Sequence, residues 1–171
     1  MILRLSQKLS TKIKAGPLGT KPLDDNPFAD WSAHLFVADR TQYIIVCNTK
    51  SLYATVLFGK GIANESHFSE RALGSIREFM EVDGQAVVYH RCIAPASGTV
   101  SFAKALNRSV TGAMNDLINH AQAWLSNGEL SPHDVGFKLN DVLLSSLASS
   151  EREKFGKPRQ AFKAMVAGIK R

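Results

Sequence analysis

The feature that most constrains this chain is an alternation of apolar and polar residues that sets in at Trp31 and is broken twice by short polar segments. Residues 32–38, 43–48 and 52–58 are rich in Val, Ile, Phe and Tyr, and only residues 39–42 and 49–51 separate them. Connections this short cannot cross over a sheet, so neighbouring strands must run antiparallel and a meander is expected. Residues 2–5, 86–93 and 99–102 have the same β-prone composition. The fold class that follows is α+β, with an antiparallel meander sheet of about five strands.

The remainder reads as helix. Leu5, Leu9 and Ile13 recur every fourth residue and Ser6 is a capping residue, so a short helix is expected there. Over residues 66–81, Phe68, Ala72, Ile76, Phe79 and Met80 share one face at 100° per residue, with acids and arginines opposite. Residues 109–126 repeat this pattern through Val110, Ala113, Met114, Leu117, Ile118, Ala121 and Leu125. Ser131 before Pro132, with Asp134 three residues on, marks another helix start. Pro158 opens a last helix, to about residue 169, whose apolar side carries Ala161, Phe162, Met165 and Ile169. About four to five helices therefore pack on the sheet, and the C-terminal half is helical. Residues 145–150 are small and polar, a hinge in expectation.

At 171 residues with 44% hydrophobic content, the chain can bury an ordinary core without disulfides or a structural metal. Residues 1–150 are expected to form one domain, and residues 151–171 a basic helical extension docked on it. Cys47 and Cys92 stand in apolar surroundings with no CxxC spacing, and are read as free thiols in a reducing compartment. Arg4 and Lys8 interrupt the apolar start, which excludes a secretory signal, and no apolar run approaches the ~20 residues of a membrane span. A cytoplasmic chain with no membrane contact is expected.

Charge is unevenly placed. Residues 1–21 hold five bases and no acid, and residues 151–171 hold seven bases against two acids. Since the whole chain is +6, the body between them is mildly acidic. Lys8, Lys12, Lys157, Arg159, Lys163 and Lys170 are the expected basic surface, suited to nucleic acid or an acidic protein.

A second candidate lies at the start of the long helix. Arg108, Asn115, Asn119 and Gln122 form a stripe of donors opposite the apolar face. Free amides beside Arg108 and Ser109 suit an anion, so Arg108, Ser109, Asn115 and Asn119 are the expected anion-binding residues. Gly59 and Gly61 flank Lys60 after a strand, but GxxxxGK[ST] spacing is missing and a plain loop is expected. His67 with Glu70 gives two ligands where catalytic zinc needs three, so no metal and no cofactor is implied. His90 and Cys92 would share a strand face, without the electropositive surroundings of a reactive thiol. Trp31, Tyr43 and Tyr53 suit base stacking, and suit a core better.

The segments Asp30-Trp-Ser-Ala-His-Leu35, Asn48-Thr-Lys-Ser-Leu-Tyr53, Asn107-Arg-Ser-Val-Thr-Gly-Ala-Met-Asn-Asp116, Leu139-Asn140 and Pro158-Arg159 occur in that order. In this the chain resembles a small bacterial family of uncharacterised proteins, over most of residues 1–166. That domain is sometimes attached to plasmid-borne open reading frames. The resemblance implies a bacterial cytoplasmic protein and no activity, cofactor or catalytic residue. Its pattern usually has Asn at the position of His34 and often His at that of Ser32, which counts against His34 as a catalytic base.

Three functions are compatible with these residues. The first is a non-catalytic module binding nucleic acid or another polyanion. The second is a small enzyme whose anionic substrate is held by Arg108 and the helix start, with His34, His90 or Asp116 moving a proton. The third is a protein-interaction subunit of an operon-encoded complex, docking through its C-terminal helix. The charge layout places the binding module first and leaves the oligomeric state open.

Overall fold

Asp39 and Arg40 both occupy the left-handed region, with φ of 46° and 63°, and turn the chain between strand β2 (Asp30–Ala38) and strand β3 (Thr41–Asn48). A two-residue turn with both centres at positive φ matches the twist of an antiparallel pair. Strand β4 (Ala54–Phe58) then pairs antiparallel with β3. Asn48 organises this second connection: its Oδ1 accepts from the Ser51 amide at 3.0 Å, and its Nδ2 donates to the Pro27 carbonyl at 2.8 Å. The meander β2-β3-β4 is therefore present.

The sheet does not end there. In the computed structural model, which describes residues 1–169, strand β1 (Ile2–Leu5) lies beside β2, and strand β5 (Ser101–Ala103) lies beyond β1. Both new pairings are parallel, so the five-stranded sheet is mixed, in the order β4-β3-β2-β1-β5, and not a pure antiparallel meander. Parallel neighbours require a crossover, and helix α1 (Gln7–Lys12) with the loop after it supplies the one from β1 to β2. Arg4 stands in β1 only 1% exposed because its Nε and Nη2 meet both carboxylate oxygens of Asp30 at 2.8 Å. That ion pair lets a charged residue sit in a central strand.

Residues 86–93, expected as a strand, are helical. Helix α2 (Glu65–Val82) ends where Gly84 takes φ 75° and the Gln85 amide returns to the Met80 carbonyl at 2.7 Å. The chain re-enters a helical turn at once, as α3 (Ala86–Val88) and a π-helical turn (Tyr89–Ile93). Val88, Tyr89 and Ile93 are buried and Val87 is exposed, a helical spacing that overrides the β-branched composition. The supposed His90–Cys92 strand face is therefore not formed.

Helix α4 (Arg108–Ser126) is capped by Asn107, whose Oδ1 accepts from the Val110 amide at 2.9 Å. Helix α5 (Pro132–Leu139) is capped by Ser131 through the Asp134 amide at 3.1 Å. Asn140 after it bonds both backbone groups of Ala54, tying α5 to the edge of β4. Helix α6 (Pro158–Ala167) completes the described elements. No helix is long and apolar enough to cross a membrane among the described residues.

Strand alternation divides the core in two. Leu3, Leu5, Trp31, Ala33, Ile44, Val46 and Leu57 face α1, α2 and α6. Phe36, Tyr43, Ile45, Cys47 and Val56 face α4 and α5. Phe162 of α6 is fully buried in the first half, stacked on Tyr53 at 4.3 Å between ring centroids.

Candidate functional site

Strand β1 pairs with β2 up to Leu5 opposite Ala33, so His34 is the first β2 residue beyond the paired end of β1. β5 ends at the same edge, at Ala103. The ends of two parallel strands, β1 and β5, therefore bring Ser6 and Lys104 beside His34 of β2, at a place where ligands of sheets with parallel strands commonly bind. His34 is on the sheet face that carries Phe36 and meets α4.

A cleft opens there in two lobes that share Ser6, Gln7 and His34. The first, about 650 Å³, lies between α1, the loop after it and the β5–α4 connection, and is lined also by Lys104 and Thr111. The second, about 550 Å³, lies over β2 between α1 and α4, where Lys8, Asn115, Asn119 and Gln122 line it. No carboxylate lines either lobe.

His34 is 8% exposed, and its side chain has no hydrogen-bond partner among the described residues. No fully buried side-chain nitrogen or oxygen lacks a partner among them either, so the imidazole nitrogens reach the cleft. Burial lowers the His34 pKa below its ordinary value, which holds the ring neutral at pH 7. Ser6 accepts from the Leu9 amide at 3.3 Å, and Gln122 Nε2 donates to the Val37 carbonyl at 3.0 Å, leaving its Oε1 open. The site thus offers two lysines, a neutral imidazole and four amide side chains, those of Gln7, Asn115, Asn119 and Gln122.

Of the residues expected to bind an anion, Asn115 and Asn119 line the cleft and Arg108 and Ser109 do not. Thr111 is the first α4 residue to reach it, about one turn further along than Arg108. His90 is exposed beside Glu81, and neither it nor Asp116 lines the cleft. The combination expected for an enzyme, with Arg108 holding substrate beside one of these groups, is therefore not assembled.

The basic surface is also rearranged. Lys8 lines the cleft, while half-buried Lys12 donates to Gln42 Oε1 at 2.8 Å. Arg159, expected to point outward, turns inward: it pairs with Asp83 and Asp141 and donates to the Phe137 carbonyl at 3.3 Å. Asp83 in turn accepts from Tyr53 Oη at 2.5 Å, so this cluster clamps α6 to the body. Lys157 is half-buried, Lys163 is exposed, and Lys170 lies outside the described residues. The two basic ends do not merge. α1 meets β3 at Gln42, whereas Phe162 of α6 packs near its other end, beside Tyr53 and Phe28. Gln42 and Asn48 are six residues apart on one strand, about 20 Å.

Nothing in the local sequence points to Lys104, Gln7 or Thr111. Lys104 could be found only from knowing that residues 101–103 run parallel to β1. Trp31, Tyr43 and Tyr53 are buried and offer no stacking surface. Cys47 is buried and Cys92 half-buried, both free thiols. No group of three or more His, Cys, Asp or Glu that could hold a metal ion occurs among the described residues.

A family model described as a domain of unknown function (DUF6933) matches residues 2–161. No curated protein and no solved structure matches the chain.

Proposed function

We propose that this chain, which belongs to the DUF6933 family of unknown function, is a non-catalytic module that binds single-stranded nucleic acid through the cleft between α1 and α4. The observation that carries this is the lining: Lys8 and Lys104 with no carboxylate, beside the side chains of His34, Asn115 and Asn119, which have no hydrogen-bond partner among the described residues. Positive side chains without nearby acids attract phosphates and release counterions. Asn and Gln amides suit the exposed edges of unpaired bases, which a duplex would hide. The site replaces the basic termini as the seat of binding, because Arg4 and Arg159 are neutralised internally. A bacterial, cytoplasmic setting, with a gene carried on mobile DNA, belongs to the same proposal.

An enzyme acting on an anionic substrate is the second reading, supported by one observation, the neutral imidazole open to the cleft. It would act there without Arg108.

The test is fluorescence anisotropy of the full chain with a labelled single-stranded 12-mer between 50 and 200 mM salt. Affinity is expected to fall with salt, and the slope of log K against log salt to drop by about 0.7 for each of Lys8→Ala and Lys104→Ala. Salt-independent affinity, or a slope that ignores both substitutions, overturns the proposal. Turnover of the oligonucleotide or of a phosphate ester, abolished by His34→Gln, would select the enzyme.

A further inference from the structure

We propose that the His34 cleft takes one phosphate-bearing nucleotide unit, with the imidazole as the group that gains a proton when the phosphate arrives. This deepens the nucleic-acid reading and rests on it.

His34 is more than nine-tenths buried, lines both lobes and has no partner among the described residues. A polar ring held in that state is an unused hydrogen-bonding position facing a cavity. Among the described residues, the charged groups that line the cleft with it are Lys8 from α1 and Lys104 from the β5–α4 connection. α4 presents Thr111, Asn115, Asn119 and Gln122, and β3 places Ile45 opposite. Arg4 and Asp30, the buried charges on the same sheet face, are paired with each other. No carboxylate lines the cleft to compensate an imidazolium, and burial keeps the ring neutral. A phosphate oxygen supplies the missing negative charge, and an opposite charge within hydrogen-bond reach favours the protonated ring. The proton comes from solvent, and no bond of the phosphate is broken.

The second lobe supplies what a phosphate alone would not need. Gln122 Oε1 stays open as an acceptor, and Asn115 and Asn119 have no side-chain partners among the described residues. Amides carry both donors and acceptors, as required to meet a nucleobase edge or a sugar hydroxyl. Lobes of about 650 and 550 Å³ are within the range that holds a small ligand.

The sign of the pH dependence follows. In the free protein His34 titrates below its ordinary value, and with phosphate bound it titrates higher. Affinity is flat above the bound-state pKa, strengthens as pH falls through it, and levels off below the free-state pKa. Each unit between the two gives about tenfold.

The experiment is calorimetric titration of the full chain with AMP and with inorganic phosphate, near the bound-state midpoint, in two buffers of different ionisation enthalpy. Wild type is expected to take up more protons on binding AMP than His34→Gln does, the second ionisation of the AMP phosphate, at about pH 6, being common to both. The double variant Asn115→Ala/Asn119→Ala, altered only at exposed side chains, is expected to lose about tenfold for AMP, the worth of one or two hydrogen bonds, and nothing for inorganic phosphate. If His34→Gln fails to fold, the Hε1 resonance of His34 in wild type gives the same reading, with its midpoint moving upward on addition of AMP. Equal proton uptake by wild type and His34→Gln, an unmoved Hε1 midpoint, or equal losses for AMP and phosphate in the double variant each overturn the proposal. Salt-dependent binding of the 12-mer alongside any of these leaves the nucleic-acid reading standing, and loss of both removes both.

Discussion

Truncating Phe162 to alanine should unfold much more than the last helix. The ring is fully buried, stacked on Tyr53 at 4.3 Å and edge-on to Phe28 at 5.6 Å, so it joins α6 to the segments that lead into β4 and β2. Phe→Ala at such a site costs about 3–5 kcal/mol, the aromatic contacts included. Against a total stability of about 5–15 kcal/mol, that is about a fifth or more of what holds a typical domain. With a urea dependence of about 2 kcal/mol per molar, the unfolding midpoint should fall by about 2 M. Urea denaturation followed by tryptophan fluorescence reads this directly, since Trp31 lies in the same half of the core. A shift below about 0.5 M would refute the reasoning and make α6 a loosely attached tail. A functional consequence follows, because a chain stopped at Ser150 loses Phe162 and the Arg159 clamp together. Weaker binding by such a chain would report lost stability, not lost phosphate contacts.

Arg4→Met should cost about 3–5 kcal/mol in urea denaturation, because Asp30 is left buried and charged, and adding Asp30→Asn should restore part of it. Asn140→Ala should cost about 2–4 kcal/mol by the same measurement, since both backbone groups of Ala54 lose a buried partner. Burial pushes the Cys47 thiol up, so the native state keeps a proton that the unfolded state releases above about pH 8.5. Stability should therefore be full below that pH and decline above it by about 1.4 kcal/mol per pH unit, with that share absent in Cys47→Ala. Tyr53, held protonated by burial and by its bond to Asp83, should steepen the decline above about pH 10.

What could be read from the sequence were the features set by neighbours in the chain. The β2–β3–β4 meander follows from alternation and short connections, and the caps at Asn107 and Ser131 lie a few residues from the amides they serve. What escaped depends on partners far along the chain. Four residues of β1 do not announce two parallel neighbours, and the burial of Arg4 is intelligible only with Asp30 beside it. Residues 86–93 have strand composition, and the turn at Gly84 places them on α2 instead of the sheet. Arg159 is on the polar side of its helix by angle, yet Asp83 draws it inward from 76 positions away. The site divides in the same way. Asn115 and Asn119 follow from the helical wheel, while the company of His34 and Lys104 needs the parallel ends of β1 and β5.

The most direct test is a backbone and side-chain amide NMR titration of the full chain with a single-stranded 12-mer, resolved by residue. Shifts concentrated at Ser6, Gln7, Lys8, His34, Lys104, Asn115 and Asn119, with Lys157 to Lys163 unmoved, are the predicted outcome. Shifts gathered on α6 with the cleft silent would contradict it.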